Sequence, residues 1–157
     1  MIATIRDITA ADDFPEGKGW KHRLFHRNEV LIREGDRDGC LYIVEKGCLR
    51  VTGSVELEGQ RVIQPGICDL GPGDLFGELC LFDNQPRSAS VVAISDGELL
   101  EVSASYLQAW MDEHPKAGYL VLKGLFDIQI RRLRRANNRV QNLLAWGLKA
   151  HGIDEYL

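Results

Sequence analysis

The sequence predicts a mainly β unit of sandwich or barrel type over about residues 20–103, followed across 104–149 by helices that end in one long helix. Three observations carry that expectation. Turn residues recur every several positions between Leu24 and Val102: Gly35-Asp36, Lys46-Gly47, Gly53-Ser54, Glu58-Gly59, Pro65-Gly66, Gly71-Pro72-Gly73-Asp74 and Asp96-Gly97. From Leu49 to Leu57 the residues alternate, with Leu49, Val51, Val55 and Leu57 on one face and Arg50, Thr52, Ser54 and Glu56 on the other. After Pro115 about 33 residues run to Leu148 with few breakers, Gly118 and Gly124 among them.

Leu41 to Val44 and Val91 to Ile94 are continuously apolar, as expected of strands covered on both sides. Ser103 is placed to cap a short helix through Met111, and His114-Pro115 breaks it. Pro115 suits the first turn of the helix that follows, because its missing N–H is unpaired there anyway. Within that helix Phe126, Ile130, Leu133, Asn137, Val140 and Leu144 are spaced 4-3-4-3-4, a heptad seam. Such a seam either packs the helix on the β unit or pairs it with a second copy, with Asn137 fixing register. A homodimer through the long helix is the expectation.

A chain of 157 residues fits one domain large enough to bury a core without disulfides or metal. With 45% apolar and 27% charged residues, net charge −4 and pI near 5.6, it has no overall attraction to nucleic acid or anionic membrane. Met1 to Asp13 carries Arg6, Asp7, Asp12 and Asp13 and so lacks a signal-peptide core, and no apolar run is long enough to span a membrane. Cys40, Cys48, Cys68 and Cys80 are scattered, which points to reduced, mostly buried thiols in a cytoplasmic protein. Nor do His22 and His26, in an extended segment with no third ligand, make a metal site. The sequence shows no nucleophile elbow, Ser-His-Asp set, P-loop or paired metal carboxylates, so no enzyme activity and no cofactor are expected.

The chemistry sits in Phe76-Gly77-Glu78-Leu79 and, after seven residues, Arg87-Ser88-Ala89-Ser90-Val91. Gly77 permits close backbone approach, and a short helical turn from Glu78 would aim free N–H groups at an anion. Arg87 offers a planar fork suited to two phosphate oxygens, with the backbone N–H groups of Ser88 and Ala89 beside it. A carboxylate this close to a phosphate needs another partner, and Glu78 can accept from a sugar hydroxyl. The alternative is an internal Glu78–Arg87 ion pair with no ligand. Arg131, Arg132, Arg134, Arg135 and Arg139 read as a solvated helix face, with Asp127 one turn before Arg131, or as a nucleic-acid patch.

Phe-Gly-Glu-Leu followed by Pro-Arg-Ser-Ala-Ser-Val resembles the phosphate-binding cassette of cyclic-nucleotide-binding domains. Gly35-Asp36, Gly47, Pro72-Gly73-Asp74 and the long helix after Pro115 extend the resemblance over nearly the whole chain. It implies a jelly-roll-like β-roll plus a long helix, with cAMP or cGMP as ligand. Phe76, Gly77, Glu78, Leu79, Arg87, Ser88 and Ala89 would line phosphate and ribose, and Asn137 or Asn138 would reach the base. The long helix is similar to the dimerisation helix of catabolite activator-type regulators, although Ala136-Asn137 stands where a Thr-Ser pair is best known. Those regulators continue into a winged helix-turn-helix, whereas only His151 to Leu157 follow the helix here. The expectation is therefore one domain over 1–157 that works as a sensor with no DNA-binding domain, no direct DNA contact, no membrane contact and an unknown downstream protein partner.

Overall fold

The computed structural model describes residues 2–57, 61–83 and 85–151. The Glu58-Gly59 turn and the tail from Gly152 lie outside them. Among the described residues ten strands form two four-stranded antiparallel sheets and a hairpin. Strands β1 (Trp20–Phe25), β10 (Gly97–Ser103), β3 (Cys40–Lys46) and β8 (Leu75–Phe76) make the first sheet, in that order. The second runs β2 (Val30–Ile32), β9 (Ser90–Ala93), β4 (Leu49–Thr52), β7 (Gly66–Leu70), while β5 (Val55–Leu57) and β6 (Arg61–Ile63) pair alone. Consecutive segments repeatedly cross between sheets, which makes this the jelly-roll-like β-roll expected.

The continuous apolar run of β3 is buried from Leu41 to Val44, because the strand lies inside its sheet. Leu41 and Ile43 face one cluster with Leu75, Leu100, Val102 and Leu107, whereas Tyr42 and Val44 face another with Phe25, Leu49, Phe76 and Leu99. Two expectations need correction. Val92 and Ile94 are half-exposed, so β9 alternates instead of being covered on both faces. The alternation after Leu49 stops at Gly53-Ser54: Val55 is 42% exposed, since β5 leaves the sheet for the separate hairpin.

At the N-terminus α1 (Ile2–Thr9) buries Ile5 and Ile8 in the first cluster. Helix α2 (Ala104–Glu113) begins where expected, the Ser103 side chain accepting from the Tyr106 N–H at 3.4 Å. Helix α3 (Pro115–Ala150) has Pro115 in its first turn and 36 residues, a length of about 54 Å. Val121 and Leu125 pack into the core, yet from Leu133 through Trp146 every residue is exposed. The helix therefore projects beyond the β-roll, and Phe126, Leu133, Val140 and Leu144 are 62–67% exposed along the seam. Packing on this chain's own β unit does not account for those positions. All four cysteines are free and half-buried, and no helix among the described residues is long and apolar enough to cross a membrane.

Candidate functional site

The segment 77–89 leaves the first sheet at β8 and enters the second at β9, so it crosses the end of the roll. Gly77 opens it with φ 75°, a left-handed conformation that favours glycine, and a 3-10 turn, Glu78–Leu81, follows at once. A Cβ on Gly77 would lie 2.9 Å from Arg87 Nη1 and 3.2 Å from the Cys40 carbonyl oxygen. The glycine thus lets chain and guanidinium approach.

Arg87 is held from both ends. Its backbone N–H donates to Asp36 O at 2.8 Å and its carbonyl accepts from the Gly35 N–H at 2.9 Å, which fastens it to the loop between β2 and β3. The side chain is only 8% exposed. Nη1 donates to Gly77 O at 2.7 Å, Nε to Asp38 Oδ2 at 3.1 Å, and Nη2 to Asp38 Oδ1 and the Cys40 carbonyl. Every guanidinium nitrogen is engaged, and Asp38 takes the Nε–Nη2 edge that also suits two phosphate oxygens. Burial pulls the Arg87 pKa down, but the hydrogen bonds and charge of Asp38 outweigh it and the net shift is upward.

Glu78, at the start of the crossover, is a buried charge, 2% exposed. Its carboxylate accepts from Arg132 Nη1 at 2.6 Å and from the Gln129 amide, and Arg132 Nη2 also donates to Leu75 O. An internal Glu78–Arg87 pair does not form: the two charges have separate partners, Asp38 for one and α3 for the other. Arg132 consequently leaves the solvated face to which the sequence assigned it. Among the described residues Asp127 and Arg131 form no ion pair, and Arg131, Arg134, Arg135 and Arg139 are exposed.

The other expected positions divide. Phe76 is buried, stacked on Tyr42 with centroids 5.1 Å apart, so its ring supports the crossover from inside the core. Leu79 and Ser88 are exposed and Ala89 is half-exposed at the mouth. Asn137 and Asn138 are exposed on the projecting part of α3 and make no hydrogen bond within this chain's described residues. Asp38, Gln129 and Arg132 were not picked out as site residues. Only Arg132 carried a signal: with Val121 and Leu125 it falls on one helical face, so a charged residue stands at a core-facing position.

The Cys80 thiol borders the arginine, whereas the Cys40 thiol faces Glu101. Cys80 Sγ lies 3.4 Å from the Cys40 carbonyl, and burial pushes both thiols up, Cys40 to about 11. Among the described residues no group of acids, histidines and cysteines is arranged to hold a metal ion.

The β-roll thus seats a buried arginine against a glycine turn and ties the Glu78 carboxylate to the outgoing helix. The comparisons with known proteins name the class: residues 22–114 match the family described as "Cyclic nucleotide-binding domain", and the chain belongs to that family. It is 36% identical over 118 residues to the cyclic AMP receptor protein of Thermus thermophilus, covering 75% of this chain and 51% of that one. A CRP-like cAMP-activated global transcriptional regulator of Mycobacterium tuberculosis is 30% identical over 120 residues, covering 76% and 50%. The chain thus spans about half the length of these curated relatives. Among solved structures, Thermus thermophilus catabolite activator protein aligns with TM-score 0.66 and 27% identity over 90% of this chain and 59% of that one. The regulatory domain of Toxoplasma gondii PKA, crystallised with cAMP, aligns with TM-score 0.51 and 36% identity over 58% and 33%.

Proposed function

We propose that this domain is a sensor for a 3′,5′-cyclic nucleotide, cAMP or cGMP, and that it acts by changing how α3 is held. One observation carries the reading. Glu78 follows Gly77, whose carbonyl receives Arg87, and the same Glu78 carboxylate is bound by Gln129 and Arg132 of α3. A ligand that engages Arg87 and Glu78 together therefore touches the helix's own attachment.

Binding is then an exchange. The cyclic phosphate takes the Nε–Nη2 edge of Arg87 from Asp38, assisted by the N–H groups of Ser88 and Ala89 and by the room at Gly77 and Leu79. Glu78 accepts from the ribose 2′-hydroxyl, which competes with the donors from α3. Phe76 backs the turn, and Asn137 or Asn138 reaches the base, from this chain or from a second copy paired along the seam. Because a ligand shifts two packings only when it binds them unequally, competition at Glu78 supplies the required difference. One relative is named a cAMP-activated global transcriptional regulator and another a cyclic AMP receptor protein, which supports a regulatory and non-catalytic role; in this reading the domain works in the cytoplasm and a downstream partner reads α3. DNA contact is not assigned to these residues, and the acidic net charge supports that choice.

Isothermal titration calorimetry on protein stripped of nucleotide tests the reading. Saturable heat is expected with cAMP or cGMP, and Arg87→Ala should weaken binding by roughly 2–3 kcal/mol because it removes a charge-assisted contact. No heat with either nucleotide would instead make the domain a scaffold that keeps the fold without the ligand.

A further inference from the structure

Helix α3 carries a second apolar side besides the heptad seam. At 3.6 residues per turn, Val121, Leu125, Ile128, Arg132, Leu143 and Trp146 fall within about 60° of one another around the helix, about 130° from the centre of the seam. The first four work within the chain: Val121 and Leu125 are buried in the core, Ile128 packs against it, and Arg132 donates to the Glu78 carboxylate at 2.6 Å. Beyond Arg132 the helix leaves the β-roll, so nothing among the described residues covers the same side, and Leu143 and Trp146 are 67% and 71% exposed. The other two tryptophans differ: Trp110 is buried and Trp20 half-buried.

The pair sits in a stretch with one sign of charge. Between Ile128 and Ala150 the sequence places Arg131, Arg132, Arg134, Arg135, Arg139 and Lys149, and none of the chain's 23 Asp and Glu residues. Glu78 takes Arg132. Arg139 stands one turn before Leu143, Arg135 one turn before Arg139, and Lys149 just under a turn after Trp146. These three are exposed and form no ion pair among the described residues. In a chain of net charge −4 they make a basic rim around an apolar centre.

We infer that Leu143 and Trp146, rimmed by Arg135, Arg139 and Lys149, are the docking site for an acidic segment of another protein, one that offers an aliphatic or aromatic side chain between carboxylates. The inference rests on the reading of α3 as the element a downstream partner recognises, and deepens it by naming the side and the chemistry. The apolar centre selects protein, because an indole and a leucine side by side gain from burial against apolar atoms, which a phosphate backbone does not offer. The rim selects acid, because guanidinium forks match carboxylates in planar pairs and this stretch of helix holds no acid of its own to occupy them. A second copy paired along the seam leaves this side facing outward. Leu143 lies eleven residues, about 17 Å, beyond Arg132 on the side that Glu78 holds. A ligand that releases Arg132 therefore changes how the docking site is presented.

Selection of a random peptide library on the immobilised full chain, followed by fluorescence anisotropy of the enriched peptides, tests the site. Enriched sequences should carry Leu, Phe or Trp flanked by Asp and Glu. Trp146→Ala should weaken their binding by about tenfold or more, and so should the Arg135→Glu, Arg139→Glu double variant. Thermal melting should not change, since these side chains are exposed. Peptides that lack acids, peptides that bind both variants as tightly as the wild type, or a selection that enriches nothing would each overturn the inference. A DNA oligonucleotide that binds more tightly than the peptides, and loses binding with the arginines but not with Trp146, assigns the surface to nucleic acid and overturns it as well. Calorimetry with cAMP and cGMP on the same protein keeps the two readings apart: normal heat beside a failed docking test removes the docking site alone, and absent heat removes the sensor reading while the peptide result stands.

Discussion

Replacing Arg132 by leucine tests how firmly the crossover is tied to α3. The substitution removes the 2.6 Å contact from Nη1 to the Glu78 carboxylate and the Nη2 contact to Leu75 O, and leaves Gln129 as the carboxylate's partner. The Glu78 side chain is 3% exposed and that of Arg132 38%. Breaking a fully buried pair from one side costs about 3–5 kcal/mol. Solvent reaches the arginine and screens the pair, and Gln129 remains, so about 2–3 kcal/mol of lost stability is expected. Urea unfolding measures the loss, and the Glu78→Gln, Arg132→Leu double-mutant cycle isolates the pair, with a coupling of about 1–2 kcal/mol. Hydrogen exchange along the first half of α3 should accelerate in the single variant. Stability within about 0.5 kcal/mol of wild type and unchanged exchange would show that the contact does not hold the helix.

Gly77→Ala puts a side chain at φ 75° and 2.9 Å from Arg87 Nη1, so stability should fall by about 1–2 kcal/mol and cyclic-nucleotide affinity by about tenfold or more in calorimetry. Undiminished affinity would mean that Arg87 does not need its place beside Gly77. The Cys40 thiol, pushed up to about 11 mainly by burial, should alkylate slowly near neutrality; at pH 9 about one thiol in a hundred is ionised, against about one in two at the ordinary value of 9.0. Iodoacetamide labelling followed by peptide mass spectrometry measures this, and rapid labelling of the folded chain at pH 8 contradicts it. Three carboxylates are held below their ordinary pKa: Glu29 by the His26 backbone N–H, Asp69 by Arg50 and Glu98 by Lys46. Their contribution is complete above the unfolded carboxylate pKa and disappears as pH falls through the lower folded values, so the urea midpoint should drop below about pH 4. A midpoint unchanged between pH 5 and pH 3 would contradict that sign.

The β-roll was legible because its turns are written in glycine, proline and aspartate, and because the Ser103 cap and Pro115 mark helix starts that the structure keeps. Gly77 and Arg87 were legible for the same local reason, since a left-handed turn and a planar donor each demand one residue type. Their partners were not. Asp38 reaches Arg87 across a separation of 49 residues, and no periodicity links the loop after β2 to the segment before β9. Helix α1 was missed because Ile5 and Ile8 have helical spacing but lie in a short segment broken by charges, and its helicity comes from burial against the core. The alternation at Val55 misled because a hairpin that leaves its sheet keeps the two-residue period without the covered face.

A crystal structure of the domain with bound cAMP or cGMP examines the ligand exchange at its source. The guanidinium of Arg87 should lie on the exocyclic phosphate oxygens with its Nε–Nη2 edge released from Asp38, and Glu78 should accept from the ribose 2′-hydroxyl. A nucleotide seated elsewhere, or an Arg87 still clasped by Asp38 in the occupied protein, would contradict the account.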